Sequence, residues 1–218
     1  MTILITSPDY DEVTGYLLTY TKQVVNFAEK NGKKVNYLVR PRLTRKNFTQ
    51  IIEQQKPNLL LLNGHGDDTT IFGDKIQGVP EPLVEEGKNH KLLEGKLTYA
   101  RACCAAASLG KAATKNGGCF IGYKELFQWW TDANWHGNPA KDKTAKLFLE
   151  PTNMLCEALI KGKTAEHASE LFVEESKRNI AQQLRNSRES GALANVMLLW
   201  SNIEAQVVLG DKEMTFLA

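Results

Sequence analysis

The chain has 218 residues, of which 27 are basic and 25 acidic; 42% are hydrophobic, with 16 glycines and 7 prolines. A chain of this length buries roughly 72% of its unfolded surface, enough for one core without a disulfide or metal staple. The ordinary composition excludes disordered, collagen-like and low-complexity classes. A formal charge of +2 gives no electrostatic reason to expect nucleic acid or an anionic membrane as a partner.

The first residues, MTILITSPD, carry no basic region and too short an apolar run for a secretory signal, and no stretch approaches the roughly 18 apolar residues of a membrane span. The cysteines are Cys103, Cys104, Cys119 and Cys156. None forms a CxxC pair, and His65, His90, His136 and His167 do not complete a zinc spacing. The expectation is a soluble, cytosolic protein with free thiols, no metal and no cofactor.

Taken in order, residues 2–6 predict a strand. Residues 11–31 predict a helix, with Val13, Tyr16, Leu17, Tyr20, Val24, Phe27 and Ala28 at helical spacing and Asn31-Gly32 as its stop. A strand at 34–39 and a helix at 43–55 follow, the latter with Phe48, Ile51 and Ile52 on one face and Pro57 after it. Residues 58–62 form a continuous apolar run, the pattern of a strand buried on both faces of a parallel sheet. Residues 67–94 are rich in Asp, Gly, Pro and Lys and predict a loop or a small hairpin. Strands are expected at 96–103 and 118–123, with a small-residue, helix-friendly segment at 105–115 between them and an aromatic loop at 127–137 after them. Three helices complete the chain, at 147–160, at 164 to about 184, and at roughly 192–209 with Val196, Leu199, Trp200, Ile203 and Val207 on one face. The alternation predicts a single domain over 1–218, a three-layer α/β/α sandwich with a mostly parallel central sheet and a helical C-terminal part.

Two strand ends carry chemistry. Leu59-Leu60-Leu61-Leu62-Asn63-Gly64-His65-Gly66 sets a histidine between glycines just past a buried strand, and Leu97-Thr98-Tyr99-Ala100-Arg101-Ala102-Cys103 ends another strand in a cysteine. Carboxyl ends of parallel strands form the ligand crevice of open α/β sheets. An imidazole and a thiol placed there are the minimum for covalent catalysis, since the base raises the thiolate fraction that attacks a carbonyl. A cysteine there can equally be a small buried hydrophobe, and a histidine in a glycine-rich turn can be there for backbone reasons.

The ordered set of NGHG, LTYARAC, ASLG at 107–110, GGCFIGY at 117–123 and LIKGKTAE at 159–166 resembles the caspase-like (clan CD) cysteine peptidases, and within them the CHAT group with its separase- and gingipain-like relatives. The similarity covers roughly residues 58–175. It implies a cysteine endopeptidase that cleaves protein substrates through a thioester, with His65 as general base, Cys103 as nucleophile, the Gly66 and Cys103 amides as the oxyanion site, and no required third catalytic residue. It implies no metal, and any regulator would be a separate protein. The alternative is a catalytically inactive caspase-like module that binds a protein partner.

Three points stay open in the sequence. A one-residue slip would select Cys104, although period-2 alternation puts Leu97, Tyr99, Arg101 and Cys103 on one face. Arg101, two residues before the nucleophile, would either receive an acidic substrate side chain or pair internally with Asp67 or Asp68. Trp129 in the aromatic loop would either wall a substrate subsite or pack against the domain. A flavodoxin-like binder is disfavoured because Ser7-Pro8-Asp9 makes no phosphate loop, and a glutaminase-type enzyme because its cysteine precedes its histidine.

Overall fold

The computed structural model describes residues 1–217. The chain opens with β1 (Thr2–Ser7), α1 (Glu12–Lys30), β2 (Lys34–Val39), α2 (Arg45–Gln55) and β3 (Leu59–Asn63). A hairpin of β4 (Thr70–Ile76) and β5 (Val79–Glu85) follows, then β6 (Leu97–Arg101), α3 (Leu109–Thr114) and β7 (Cys119–Tyr123). The remainder is α4 (Lys143–Ile160), α5 (Ala165–Arg185), α6 (Ala192–Ala205) and β8 (Gln206–Gly210). The main sheet runs β2–β1–β3–β6–β7–β8, parallel except for β8, which pairs antiparallel with β7.

Alternation within the strands sorts the core into two layers. Ile3, Ile5, Leu59, Leu61, Leu97 and Tyr99 point to one face, which α1, α4 and α5 cover. Leu4, Leu60, Leu62, Ala100 and Phe120 point to the other, covered by α2, α3 and the hairpin through Phe48, Ile52, Leu109, Leu83 and Val84. This is the expected three-layer α/β/α arrangement. It explains the unbroken leucine run of β3, in which each side chain is at most 1% exposed. Burying one leucine contributes about 2 kcal/mol, so a charged substitution at Leu60 or Leu61 would remove a large part of a typical domain's stability.

One segment takes one of its two expected forms and another departs from expectation. Residues 67–94 contain the hairpin, one of the two forms their composition allowed; its strands pair antiparallel with irregular register near Phe72. The last helix stops at Ala205 instead of continuing to about 209, and Gln206–Gly210 becomes β8, pairing Val207 with Gly122 and Leu209 with Phe120. Val207 therefore leaves the helical face on which its spacing put it. Two adjacent β-branched valines and a free edge on β7 outweigh the helical periodicity that Trp200 and Ile203 continue. Among the described residues no helix is long and apolar enough to cross a membrane.

Candidate functional site

The connections leaving β1 and β3 run in opposite directions across the sheet, so the gap between their carboxyl ends is the switch point at which open α/β sheets bind ligands. Asp11 follows β1 and His65 follows β3. His65 Nε2 lies 2.8 Å from Asp11 Oδ2, so the imidazole N–H donates to the carboxylate. Both side chains are a little over a third exposed.

Asp11 is fixed by its role as the N-cap of α1. Its carboxylate accepts from the Thr14 amide and the Thr14 hydroxyl, both at 2.8 Å, and Thr14 in turn accepts from the Asp11 amide at 3.0 Å. Partial burial alone would push this carboxyl up, but the bonds from Thr14 and His65 outweigh it and hold Asp11 below the usual carboxylate range. A rigid, ionised carboxylate therefore orients the ring. The pairing was not anticipated from the sequence. An acidic residue capping the helix after β1, next to β3 in the sheet, is the signal that could have found it.

The far side of the imidazole faces a cleft of about 310 Å³ whose lining includes His65, Cys103, Phe127, Trp129, Val13 and Glu12. His65, Cys103 and Trp129 thus line one cleft. The Cys103 thiol is half-buried and donates to the Phe127 carbonyl at 3.6 Å. Burial pushes it above the ordinary thiol range, partly offset by backbone hydrogen bonds, so the thiol is protonated at rest. Phe127 and Trp129 pack with ring centroids 5.5 Å apart at a 46° tilt and form an apolar wall. Glu12 supplies the cleft's negative charge; it accepts from the Thr131 hydroxyl at 3.0 Å and lies 3.2 Å from His136 Nε2, which ties the aromatic loop to the start of α1.

Gly66 packs directly against the chain at Cys103. A Cβ on Gly66 would lie 2.8 Å from the Cys103 carbonyl oxygen and 3.0 Å from Ala102 Cβ, so no side chain fits. Gly66 sits opposite Ile71 between the Asp67-to-Thr70 and Phe72-to-His65 backbone bonds, in a position that leaves its own amide uncommitted. Among the described residues the Cys103 amide likewise donates to no backbone carbonyl. Backbone N–H groups beside a thiol are the kind of donor that can stabilise a developing oxyanion.

Arg101 requires a correction. It shares the Cys103 face as alternation requires, but it is 1% exposed and does not line the cleft. Its Nη2 donates to Asn153 on α4 at 2.9 Å and lies 3.9 Å from Cys156 Sγ, while Nε and Nη1 have no partner among the described residues. It reaches neither a substrate position nor Asp67 or Asp68. The physical reason is that α4 covers this face of the sheet to the end of β6 and encloses the side chain that alternation points toward it.

Cys104 does not line the cleft that contains His65. It adopts a left-handed backbone, φ 58°, and its amide donates to the Glu125 carbonyl at 2.9 Å. Its side chain borders a separate hollow of about 340 Å³ with Lys124, Leu126 and Ser201. Burial, then adjacent Cys103, and then the charge and hydrogen bond of Asp68 push this thiol up as well. Compared with known protein families and with characterised proteins, the chain matches no family model and no sequence significantly.

Proposed function

We propose that the chain is a cysteine endopeptidase of the caspase-like type, acting on protein substrates. The observation that carries this reading is one cleft at the carboxyl edge of the sheet containing both a carboxylate-oriented imidazole and a half-buried thiol. With the Nε2 proton committed to Asp11, Nδ1 is the nitrogen that takes the thiol proton. Cys103 Sγ then attacks the substrate carbonyl carbon, and the oxyanion falls between the Gly66 and Cys103 amides; one such donor lowers the barrier by about 3 kcal/mol. The imidazolium returns its proton to the departing amine as the C–N bond breaks. A thioester on Cys103 remains, and water activated by His65 hydrolyses it. Asp11 stays ionised throughout and stabilises the imidazolium.

The protonated resting thiol belongs to the same reading. A half-buried Cys103 hydrogen-bonded to Phe127 needs substrate, or a separate regulatory protein acting on the aromatic loop, to release it. Labelling with a peptidyl acyloxymethyl ketone tests the proposal. Cys103 is expected to be modified in wild type, and His65→Ala should slow labelling by about a hundredfold or more while shifting stability by about 1 kcal/mol or less, since the ring is exposed and leaves no core cavity. Equal labelling of both forms would leave a partner-binding module as the better reading.

A further inference from the structure

His65 is the shared wall of two hollows. Besides the Cys103 cleft, it lines a groove of about 430 Å³ together with Tyr10, Asp11, Phe72, Lys75, Val79 and Pro80. The β4–β5 hairpin builds this groove. At its tip Ile76 and Val79 are 46% and 67% exposed, an unusual use of two β-branched residues that no neighbouring element covers. Lys75 Nζ sits 4.7 Å from the Tyr10 ring centroid, and Tyr10 lies 5.9 Å from the His65 ring. The groove floor is thus an aromatic and aliphatic surface, and the nearest carboxylate, Asp11, is already engaged by His65 and Thr14.

Resting on the peptidase reading, we infer that this hairpin groove binds the part of the substrate that follows the cut bond, and that it selects an apolar residue there. The acyl portion must lie on the thiol side, because Cys103 bonds to its carbonyl carbon. The departing amine must lie against the imidazole that protonates it. A chain leaving in that direction passes His65 and meets the hairpin, where Phe72, Val79 and Pro80 provide apolar contact and Lys75 disfavours a basic residue. The occupant is therefore an extended peptide segment with an aliphatic or aromatic side chain just beyond the cut, not a free acid, a nucleotide or a second copy of this chain.

The probe is a proteome-derived peptide mixture digested with wild type and with Val79→Asp, the new N-termini being sequenced by mass spectrometry. Aliphatic and aromatic residues should be enriched at the first or second position after the cut, and Val79→Asp should lower that enrichment by about tenfold, the size of a single lost apolar contact in a pocket. The residue preference before the cut is the internal reference and should be the same for both proteins. Val79 is exposed, so its replacement leaves the core intact. New termini with no apolar preference after the cut, or a preference unmoved by Val79→Asp, would overturn the subsite alone. No new termini together with no ketone labelling of Cys103 would overturn the peptidase reading and the subsite with it.

Discussion

Two adjacent cysteines at the end of β6 have opposite surroundings. Cys103 opens into the cleft of His65 and donates to Phe127, whereas Cys104 faces Lys124 and Ser201 across a hollow that contains no histidine. The backbone makes this difference. Strand alternation carries Cys103 to the face of Tyr99 and Arg101, and the left-handed turn at Cys104 then bends the chain back toward β7, where the Ala106 amide reaches the Tyr123 carbonyl at 3.0 Å. Side-chain chemistry is identical in the pair, so position alone separates a candidate nucleophile from a turn residue. The remaining cysteines make the same point by burial, which pushes Cys119 up to about 12 and Cys156 up to about 11 and leaves both inert.

The largest expected effect tests that division directly. Cys103→Ala should abolish peptide cleavage, a loss of about a thousandfold or more, and Cys104→Ala should retain most of it. Iodoacetamide mapping of native protein should leave Cys119 and Cys156 unmodified. Because the Cys103 thiol lies above its ordinary value of 9.0 and only the thiolate reacts, its alkylation rate should keep rising as pH passes 9. A rate that is already flat below about pH 7 would mean that a thiolate–imidazolium pair exists at rest, and would contradict the resting state described above.

Next in size is the contrast between Cys103 and its neighbour on the same face. Arg101 is buried with two nitrogens, Nε and Nη1, unpartnered among the described residues, so Arg101→Glu replaces an enclosed cation by an enclosed anion beside Tyr99, Tyr123 and Cys156. The expected result is destabilisation by about 3 kcal/mol or more, read as a lower urea midpoint. A well-folded Arg101→Glu protein that cuts after Lys or Arg would show instead that Arg101 meets substrate.

How far these positions were readable from sequence depends on the range of the cause. The leucines of β3 announce a strand buried on both faces because the pattern is local, and the glycine-flanked His65 and Cys103 fall at one edge because the carboxyl ends of parallel strands lie side by side. Asp11 was missed because its partner is 54 residues away and depends on which strands are neighbours. Arg101 was misjudged because alternation gives a face but not what covers it; the cover is Asn153 of α4, 52 residues on. The end of α6 was misjudged because pairing with β7, another long-range event, overrides helical spacing at Val207.

Asp11 separates a positioning role from a capping one. Asp11→Asn retains an N-cap acceptor for Thr14 but removes the charge facing the imidazolium, so kcat should fall by about tenfold while stability loses only the contribution of the lowered carboxyl. Asp11→Ala loses both, and should add about 1 kcal/mol of destabilisation. The sign with pH follows from the lowered carboxyl. Its contribution to stability is present above the ordinary value of 3.8 and is lost as pH falls through the still lower folded value. An Asp11→Asn variant with unchanged kcat and an unchanged acid limb would reduce Asp11 to a helix cap.

The smallest effect isolates the turn itself. At φ 58° a residue with a Cβ sits in the left-handed region, at a penalty of about 1 kcal/mol that glycine escapes. Alanine and glycine both delete the Cys104 thiol, so comparing the two holds that loss nearly constant and leaves the backbone as the difference. Glycine also gains freedom in the unfolded chain, which opposes the gain and keeps it small. Cys104→Gly should therefore match or exceed Cys104→Ala in stability, by at most about 1 kcal/mol, and both should keep the cleavage activity of wild type. Chemical denaturation of the two variants in parallel measures the difference. A glycine variant clearly less stable than alanine, or one that loses activity, would mean that the Cys104 side chain holds the loop that presents Cys103, and the two cysteines would then share one function instead of dividing two.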